Sequence, residues 1–288
     1  MDRKSQHKDI FKKKAKTFYF ASFFLGQKTI EKVSLLYAFC RFIDDIADET
    51  HDPHNAQKEL EKIKKDIEQG ESDTPFIQEF IYFADAQKLD KKYLTDLLDG
   101  VISDCKPSIR IKNEEALIHY CYQVAGTVGA LMCPILNINQ NLNKASPAAI
   151  NLGIAMQLTN IARDIKDDAE NNRVYIPQTW LIINEAKHLL SAPKTKEYDA
   201  RDACKKLLDK SAEYYEKAKE GYPYLPFRER FTILVAANLY RSIGHQIEKI
   251  DHKYWLGRQH LTKFQKIIKT IKSAIEITYP SFWIEQKR

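Results

Sequence analysis

Glycine and proline are scarce in this 288-residue chain, with 9 and 10 copies respectively. Because short strands need many turns, such a low content of turn formers favours long helices. No apolar run reaches the length of a membrane-spanning helix, and the basic N-terminus MDRKSQHKDIFKKKAK is not followed by the apolar core of a signal peptide. We therefore expect a protein that is neither secreted nor membrane-spanning.

Cysteine is also infrequent, and nucleic-acid motifs are absent. The five cysteines are scattered and form no C-x-x-C pair, which argues against a disulfide framework and favours a cytoplasmic location. Zinc-finger spacing, an RNP-like aromatic signature and basic heptads are missing, so we expect no nucleic-acid partner. The net charge of +6 is spread along the chain. The basic N-terminal arm and the aromatic tail YPSFWIEQKR allow peripheral contact with the inner face of a membrane.

Apolar residues recur at helical spacing in most segments, such as KVSLLYAFCRFI, LTDLLDGVI and AAINLGIAMQLTNIARDI. This periodicity, with no convincing strand alternation, predicts about nine or ten helices and an all-α fold. Turn formers cluster at ETHDPHN, QGESDTP, CKPSIRIKN, NQNLNKASP, AENNRVYIPQ, SAPKTKE and GYPYLPF. None of these breaks has the length or composition of a linker, so residues 1–288 are expected to form a single domain.

The stretch YAFCRFIDDIADE places three carboxylates directly after a mostly apolar run. A helix turns about 100° per residue, so Asp44 and Asp48 share one face, with Asp45 on its shoulder. Tyr37 and Arg41 extend the same stripe towards the N-terminus. Such a stripe on its own is typical of a solvated helix face.

A second stretch, QLTNIARDIKDDAENNRVYIP, makes a solvated face a poor explanation. Asn160, Asp164 and Asp168 also recur every fourth residue, on a helix that is otherwise apolar, so they are expected to point towards an interior or a cleft. Carboxylate and amide oxygens suit Mg²⁺, which is usually completed by water and substrate phosphate oxygens. No His or Cys joins either stretch, which argues against zinc.

Arginines accompany both acidic stretches. Arg41 lies one turn before Asp44, Arg163 adjoins Asp164, and Arg173 follows at the predicted end of the helix. Arginine binds phosphate through a planar fork, although each of these residues is also explained as an ion-pair partner of a nearby acid. Together with both acid sets, they indicate a site for Mg²⁺ and diphosphate.

With these motifs, the chain resembles the squalene/phytoene synthase family of head-to-head prenyl synthases. The resemblance rests on four segments: KTFYFASFFL, YAFCRFIDDIADE, YCYQVAGTVGALMCPIL and QLTNIARDIKDDAENNRVYIP. It covers nearly the whole chain. It implies a helical bundle of the isoprenoid-synthase type around a central cavity.

The resemblance also implies roles for individual residues. The metal ligands would be Asp44, Asp48, Asn160, Asp164 and Asp168. The catalytic set would comprise Tyr37, Arg41, Asp44, Asp45, Asp48, Asp164 and Asp168. Substrate contacts would come from Thr17, Phe18, Tyr120, Val124, Gln157, Asn160, Arg163, Arg173, Tyr175, Tyr240 and Arg258. Ala15 stands where the family often has Ser, so the resemblance does not establish a diphosphate contact near the N-terminus.

The implied reaction joins two identical prenyl diphosphates, farnesyl or geranylgeranyl, in a 1′-1 condensation. It passes through a cyclopropylcarbinyl diphosphate to a phytoene-, dehydrosqualene- or squalene-type hydrocarbon. The implied cofactor is Mg²⁺, with Mn²⁺ as a substitute, and NADPH only if the product is squalene. The NIARDI wording favours phytoene- or dehydrosqualene-type enzymes without NADPH, and a monomer is expected.

Two alternatives remain open. A class I terpene cyclase or a chain-elongating prenyl synthase would share Mg²⁺ and aspartate clusters, although VAGTVG and NIARDIKDDAENNRVYIP speak against it. A non-catalytic family member acting as an assembly factor should have lost acids that are all present here. Gly126 and Gly129 are explained equally well by close approach of a ligand and by tight helix packing.

Overall fold

The computed structural model describes residues 3–14, 16–50, 52–138, 140–182, 185–190 and 197–279. Within these ranges the chain is mainly helical, which confirms the all-α prediction. The helices are α1 (Arg3–Lys14), α2 (Lys16–Ser22), α3 (Gln27–Glu49), α4 (Pro53–Gln69), α5 (Pro75–Ala86), α6 (Lys91–Asp104), α7 (Glu114–Cys121), α8 (Thr127–Ile135), α9 (Leu142–Glu170), α10 (Glu197–Ala218), α11 (Phe227–Lys249) and α12 (Lys263–Glu276). A π-helical turn spans Tyr122–Gly126, and short 3₁₀ turns span Gln178–Trp180, Ala186–His188, Lys219–Tyr224 and Tyr254–Leu256.

Two expectations about these helices need correction. They outnumber the predicted nine or ten, partly because the π-helical turn divides the central apolar helix into α7 and α8. The basic N-terminal segment is not a free arm: it forms α1, which packs on α3 and buries Phe11 against the rings of Tyr19 and Tyr37.

Five of the seven predicted breaks hold their positions. The Asp52 carboxylate accepts a bond from the His54 amide at 3.0 Å to cap α4, and Gly70 ends α4 with a φ of 85°, which favours glycine. By contrast, α9 begins at Leu142, inside the predicted break NQNLNKASP, and contains Pro147 near its start. A proline there removes few helical hydrogen bonds. The break SAPKTKE lies almost wholly outside the described residues.

One pair of very short strands was not predicted. In it, β1 (Ile109–Arg110) runs parallel to β2 (Arg173–Val174), with Ile109 opposite Arg173. The Arg110 guanidinium reinforces the pair by donating to the Asn172 carbonyl and side-chain oxygens, each at 2.7 Å. Two residues are too few for a period-2 pattern to be visible in sequence. The pairing matters because it holds the segment after α9 beside α6.

The core consists of two apolar clusters on either side of the long helix α9. One cluster draws mainly on α9, α10 and α11, and the other on α3 to α6 and α8. The helix α9 packs against α8, α10 and α11, and α3 packs against α4, α5 and α6. This arrangement lets α3 and α9 carry their acidic faces towards one region between the clusters.

Glycine allows a close contact between two helices. A Cβ on Gly129 would collide with the Ala149 carbonyl, and one on Gly153 would collide with the Ala125 carbonyl. The helix that contains α7, the π-helical turn and α8 therefore approaches α9 backbone to backbone, which favours tight packing as the role of Gly129. By length and composition alone this helix, Glu114–Ile135, could cross a membrane, but a core helix has the same composition, and here it packs against α6 and α9.

Candidate active site

Two adjoining cavities lie between the two clusters. An apolar cavity of about 300 Å³ shares Val124, Gln157 and Asn160 with a polar cavity of about 230 Å³. The shared residues come from the π-helical turn and from α9, so the two spaces meet at the centre of the fold. The site therefore consists of a polar cavity and an apolar cavity that adjoin each other.

The acidic stretches meet in the polar cavity. Asp44 and Asp48 enter it from α3, and Asp164 and Asp168 from α9, with Asn160 at the boundary to the apolar cavity. The Asp44 side chain is accessible to water, but it lies in this cavity and is surrounded there by protein. The i, i+4 spacing thus brings both oxygen-rich faces to one space, as the helical geometry predicts.

The carboxylates in this cavity disturb one another. Burial, followed by the charge of Asp48, raises the pKa of Asp44 to about 7. Burial, followed by the charge of Asp164, raises the pKa of Asp168 to about 7. The negatively charged form of each carboxyl group is therefore disfavoured by its neighbours and by burial, and a bound cation would relieve this penalty.

Arginines neutralise part of this charge. Arg173 Nη1 donates to Asp48 Oδ1 at 2.8 Å. Arg258 forks onto Asp164, with Nε at 2.7 Å from Oδ1 and Nη2 at 3.1 Å from Oδ2, while Arg163 bonds the same carboxylate. Burial opposes ionisation of Asp164, but these two guanidinium groups outweigh it and hold its pKa below the usual range. Each of these guanidinium groups thus lies at the site.

Five of the predicted site residues do not line either cavity: Thr17, Arg41, Asp45, Arg163 and Arg258. Arg163 and Arg258 still contact Asp164. Arg41 and Asp45 instead form an i, i+4 ion pair with each other, because Asp45 lies about 100° around α3 from Asp44. No cavity contact is found for Thr17, and Ala15 lies outside the described residues.

The structure adds Asp104, which the sequence analysis missed. Its Oδ2 accepts a bond from the Tyr120 hydroxyl at 2.7 Å, and its Oδ1 accepts one from the Tyr175 hydroxyl at 2.9 Å. The two rings stack with centroids 4.8 Å apart. Burial raises the pKa of Asp104 to about 6, although both hydroxyl bonds oppose the rise.

A signal for Asp104 was present in the sequence. It lies three residues after Val101 and seven after Leu97, so it falls on the buried stripe of α6. An acid on an apolar stripe is unusual, since a buried charge is costly unless it is hydrogen-bonded. Asp104 does not belong to a repeat of acids every fourth residue, so such spacing does not reveal it.

The apolar cavity runs from the boundary residues towards the far end of the bundle. Its aromatic lining includes Phe18 of α2, Tyr37 of α3 and Tyr240 of α11. The ring centroids of Phe18 and Tyr240 lie 4.8 Å apart. Further lining residues are Val128, Met132, Ala148, Met156, Tyr222, Leu225, Ile233 and Ala236. Nearly all of these side chains are hydrocarbon or aromatic, so the cavity suits a flexible apolar chain.

The donor set fits a hard divalent cation. Asn160 Oδ1 is buried without a hydrogen-bond partner, while its Nδ2 donates to Gln157 Oε1 at 3.3 Å. An orphaned amide oxygen beside carboxylates is a free ligand for such an ion. Among the described residues, no three His, Cys, Asp or Glu side chains form a ready-made metal cluster. That is consistent with Mg²⁺, which commonly binds through one or two carboxylates together with substrate phosphates.

The fold is an all-α bundle in which an acid-lined cavity adjoins an apolar cavity. These features define a class of helical enzyme whose substrate has an anionic head group and a hydrocarbon chain. The squalene/phytoene synthase family model matches residues 11–265. The 15-cis-phytoene synthase of Pantoea ananas is 32% identical over 268 residues, covering 88% of this chain and 85% of that protein. The corresponding enzyme of Enterobacter agglomerans is 32% identical over 272 residues, covering 90% of this chain and 91% of that protein.

A solved structure agrees in fold. A dehydrosqualene synthase in complex with a ligand superposes with a TM-score of 0.83 at 23% identity, covering 96% of each chain. The present chain belongs to the squalene/phytoene synthase family. It is accordingly a prenyltransferase of that type, and its substrates are prenyl diphosphates.

Proposed function

We propose that this chain joins two identical prenyl diphosphates head to head, through a cyclopropylcarbinyl diphosphate, and releases diphosphate with a phytoene- or dehydrosqualene-type hydrocarbon. The observation that carries the proposal is the junction at Gln157 and Asn160, where the acid-lined cavity meets the apolar one. A prenyl diphosphate has the same division into an anionic head and an apolar tail. Family membership supports the same reaction type.

The head of the substrate belongs in the polar cavity. Asp44, Asp48, Asn160, Asp164 and Asp168 would hold Mg²⁺, or Mn²⁺ in its place. When bound, the ion would neutralise charge on the departing diphosphate. The raised pKa values of Asp44 and Asp168 and the orphaned Asn160 oxygen support this role, because each records an unmet demand for positive charge.

The arginines would bind the diphosphate itself. Arg173 and Arg258 form ion pairs with Asp48 and Asp164, and they come from different segments of the chain. Arg173 lines the polar cavity, and Arg258 contacts a carboxylate that lines it. Planar guanidinium groups can fork onto phosphate oxygens once substrate enters, and their charge stabilises the leaving group as the C–O bond ionises. Arg163 has the narrower role of holding the Asp164 carboxylate in place.

The prenyl chains belong in the apolar cavity. An allylic cation reacts with water, so its lifetime depends on a dry wall around the reacting carbons. Tyr37, Phe18 and Tyr240 supply aromatic faces that stabilise positive charge, and the lining deeper in the bundle excludes water. Asp104 orients the Tyr120 and Tyr175 hydroxyls on the opposite side of the boundary.

Product analysis tests the proposal. The purified full chain is incubated with Mg²⁺ and either farnesyl or geranylgeranyl diphosphate, with and without NADPH, and the hydrocarbons are identified by mass spectrometry. We expect a 1′-1 linked hydrocarbon that forms without NADPH, in keeping with the phytoene synthases among its relatives. A cyclised monomer product, a longer prenyl diphosphate or no conversion of either substrate would refute it.

Site variants separate the chemistry from the fold. Asp44→Asn and Asp164→Asn should abolish hydrocarbon formation, because each removes a charge from the polar cavity. Asp85→Asn is the matched control, since Asp85 is exposed on α5 and lines neither cavity. Full turnover by the two cavity variants would rule out the proposed site.

A further inference from the structure

Helix α12 presents its apolar side to solvent. Phe264, Ile267, Ile268, Ile271 and Ile275 are exposed, with Phe264 at 70% and Ile275 at 60%. At about 100° per residue these five side chains fall within an arc of about 100° and form one continuous stripe. Lone exposed apolar residues are ordinary, but a continuous stripe marks an interaction surface.

The polar side of the same helix faces the protein. Ser273, opposite the stripe, is fully buried and its Oγ accepts a bond from Asn238 Nδ2 at 2.9 Å. The same Nδ2 lies 2.7 Å from Glu276 Oε2. Thr262 and Gln265 form a capping box at the start of the helix. These bonds fix the rotation of α12, so the outward direction of the stripe is built into the fold.

The charged residues beside the apolar stripe indicate which kind of surface the stripe would bind. Lys263 and Lys272 flank the stripe on its two sides, and the helix carries four lysines against one glutamate. An apolar stripe bordered by lysine suits a lipid surface with anionic headgroups: the side chains enter the acyl boundary and the ammonium groups reach phosphate.

Helix α12 lies close to the apolar cavity, which suggests why the enzyme would contact a lipid surface there. Helix α12 packs on α11, and Thr232, Ile233, Ala236 and Tyr240 of α11 line the apolar cavity. Asn238 lies on the opposite face of α11, so α12 covers the outer side of the cavity wall. A hydrocarbon product would meet lipid rather than water on leaving that wall. Only this last point rests on the proposed function.

We propose that α12 is an interfacial helix that docks this enzyme on an anionic bilayer through the Phe264–Ile275 stripe. This contact lies on a structured helix and is separate from the contact through the N-terminal arm and the tail that the sequence suggests.

Vesicle co-sedimentation of the full chain tests the proposal, using phosphatidylcholine vesicles with and without phosphatidylglycerol. The protein should bind the anionic vesicles more strongly. The double variant Ile267→Glu/Ile271→Glu should lower the partition coefficient by about tenfold or more, because two apolar side chains lose their lipid contact. Ile182→Glu is the matched control, since Ile182 is an exposed isoleucine outside α12, at 86%. It should bind as the parent does.

Charge reversal supplies a second arm. Lys263→Glu/Lys272→Glu should weaken binding to anionic vesicles about tenfold and leave the weak binding to neutral vesicles unchanged. Lys62→Glu/Lys65→Glu, at two exposed positions of α4, changes the net charge by the same amount and should bind as the parent does. Hydrocarbon formation in detergent should be normal in both α12 variants, which separates this inference from the proposed reaction.

Two results would overturn the inference. One is binding by the isoleucine variant equal to that of the parent. The other is no vesicle binding by the parent together with a concentration-dependent dimer in sedimentation velocity that the variant abolishes, because the stripe would then serve a second copy of the chain.

Discussion

Replacing Asp168 by asparagine should stabilise the metal-free protein while removing its activity. Asp168 lines the polar cavity, where burial and the charge of Asp164 raise its pKa from 3.8 to about 7. An aspartate with a raised pKa in the folded state is a destabilising charge, and an asparagine of the same shape does not carry it. The site is thus expected to exchange stability for function.

The magnitude follows from the change in pKa. At about 1.4 kcal/mol per pH unit, a rise from 3.8 to about 7 corresponds to ~4 kcal/mol. Because Asp168 is partly accessible to water in the cavity, we expect about 1–2 kcal/mol of this to be realised. For a domain of this size the gain corresponds to a rise in Tm of about 2–3 °C.

The pH dependence gives the sharper test. The penalty is complete above the folded pKa of about 7 and vanishes below the ordinary value of 3.8, where Asp168 is protonated in both states. In thermal unfolding with EDTA, the Asp168→Asn variant should therefore have a higher Tm than the parent at pH 8 and the same Tm as the parent near pH 4. Asp85→Asn should match the parent at both pH values. A variant no more stable than the parent at pH 8 would refute the reasoning.

Two further predictions concern packing and substrate binding. Gly153→Ala should lower the free energy of unfolding in urea by about 1–3 kcal/mol, because its Cβ would collide with the Ala125 carbonyl. Gly26→Ala should change it little, because the added Cβ would meet only the Arg228 guanidinium, at 4.0 Å, so equal losses would contradict this account. Arg258→Lys should raise KM about tenfold with little change in Tm, since lysine cannot fork as Arg258 does onto Asp164 and the position is 57% exposed. A KM equal to that of the parent would exclude a diphosphate role for this arginine.

Much of the site could be predicted because helical geometry is regular. Repetition every fourth residue was enough to bring Asp44 and Asp48 to one side of α3, and Asp164 and Asp168 to one side of α9. That both faces open on the same cavity depends on how α3 and α9 pack across the two clusters. Spacing within one helix carries no information about that packing.

The features that the sequence pattern left open have physical reasons as well. Asp45 and Arg41 form an ion pair on the shoulder of α3. Which of two adjacent acids faces a cavity is decided by how the helix is rotated in its packing. The burial of Asp104 can be read from the stripe of α6, but its partners cannot, because Tyr120 and Tyr175 lie 16 and 71 residues away in sequence. The outward stripe of α12 is likewise indistinguishable in sequence from an ordinary inward one, since periodicity fixes a face but not its direction.

Counting bound metal tests the central claim most directly, namely that the two acidic helix faces together hold divalent cations for a diphosphate. EDTA-treated protein would be titrated with Mn²⁺ in the presence and absence of inorganic diphosphate, with bound ion measured by electron paramagnetic resonance. We predict strong Mn²⁺ binding that requires diphosphate in the parent and in Asp85→Asn, and its loss in both Asp44→Asn and Asp164→Asn. Mn²⁺ binding that survives both cavity substitutions would contradict the account.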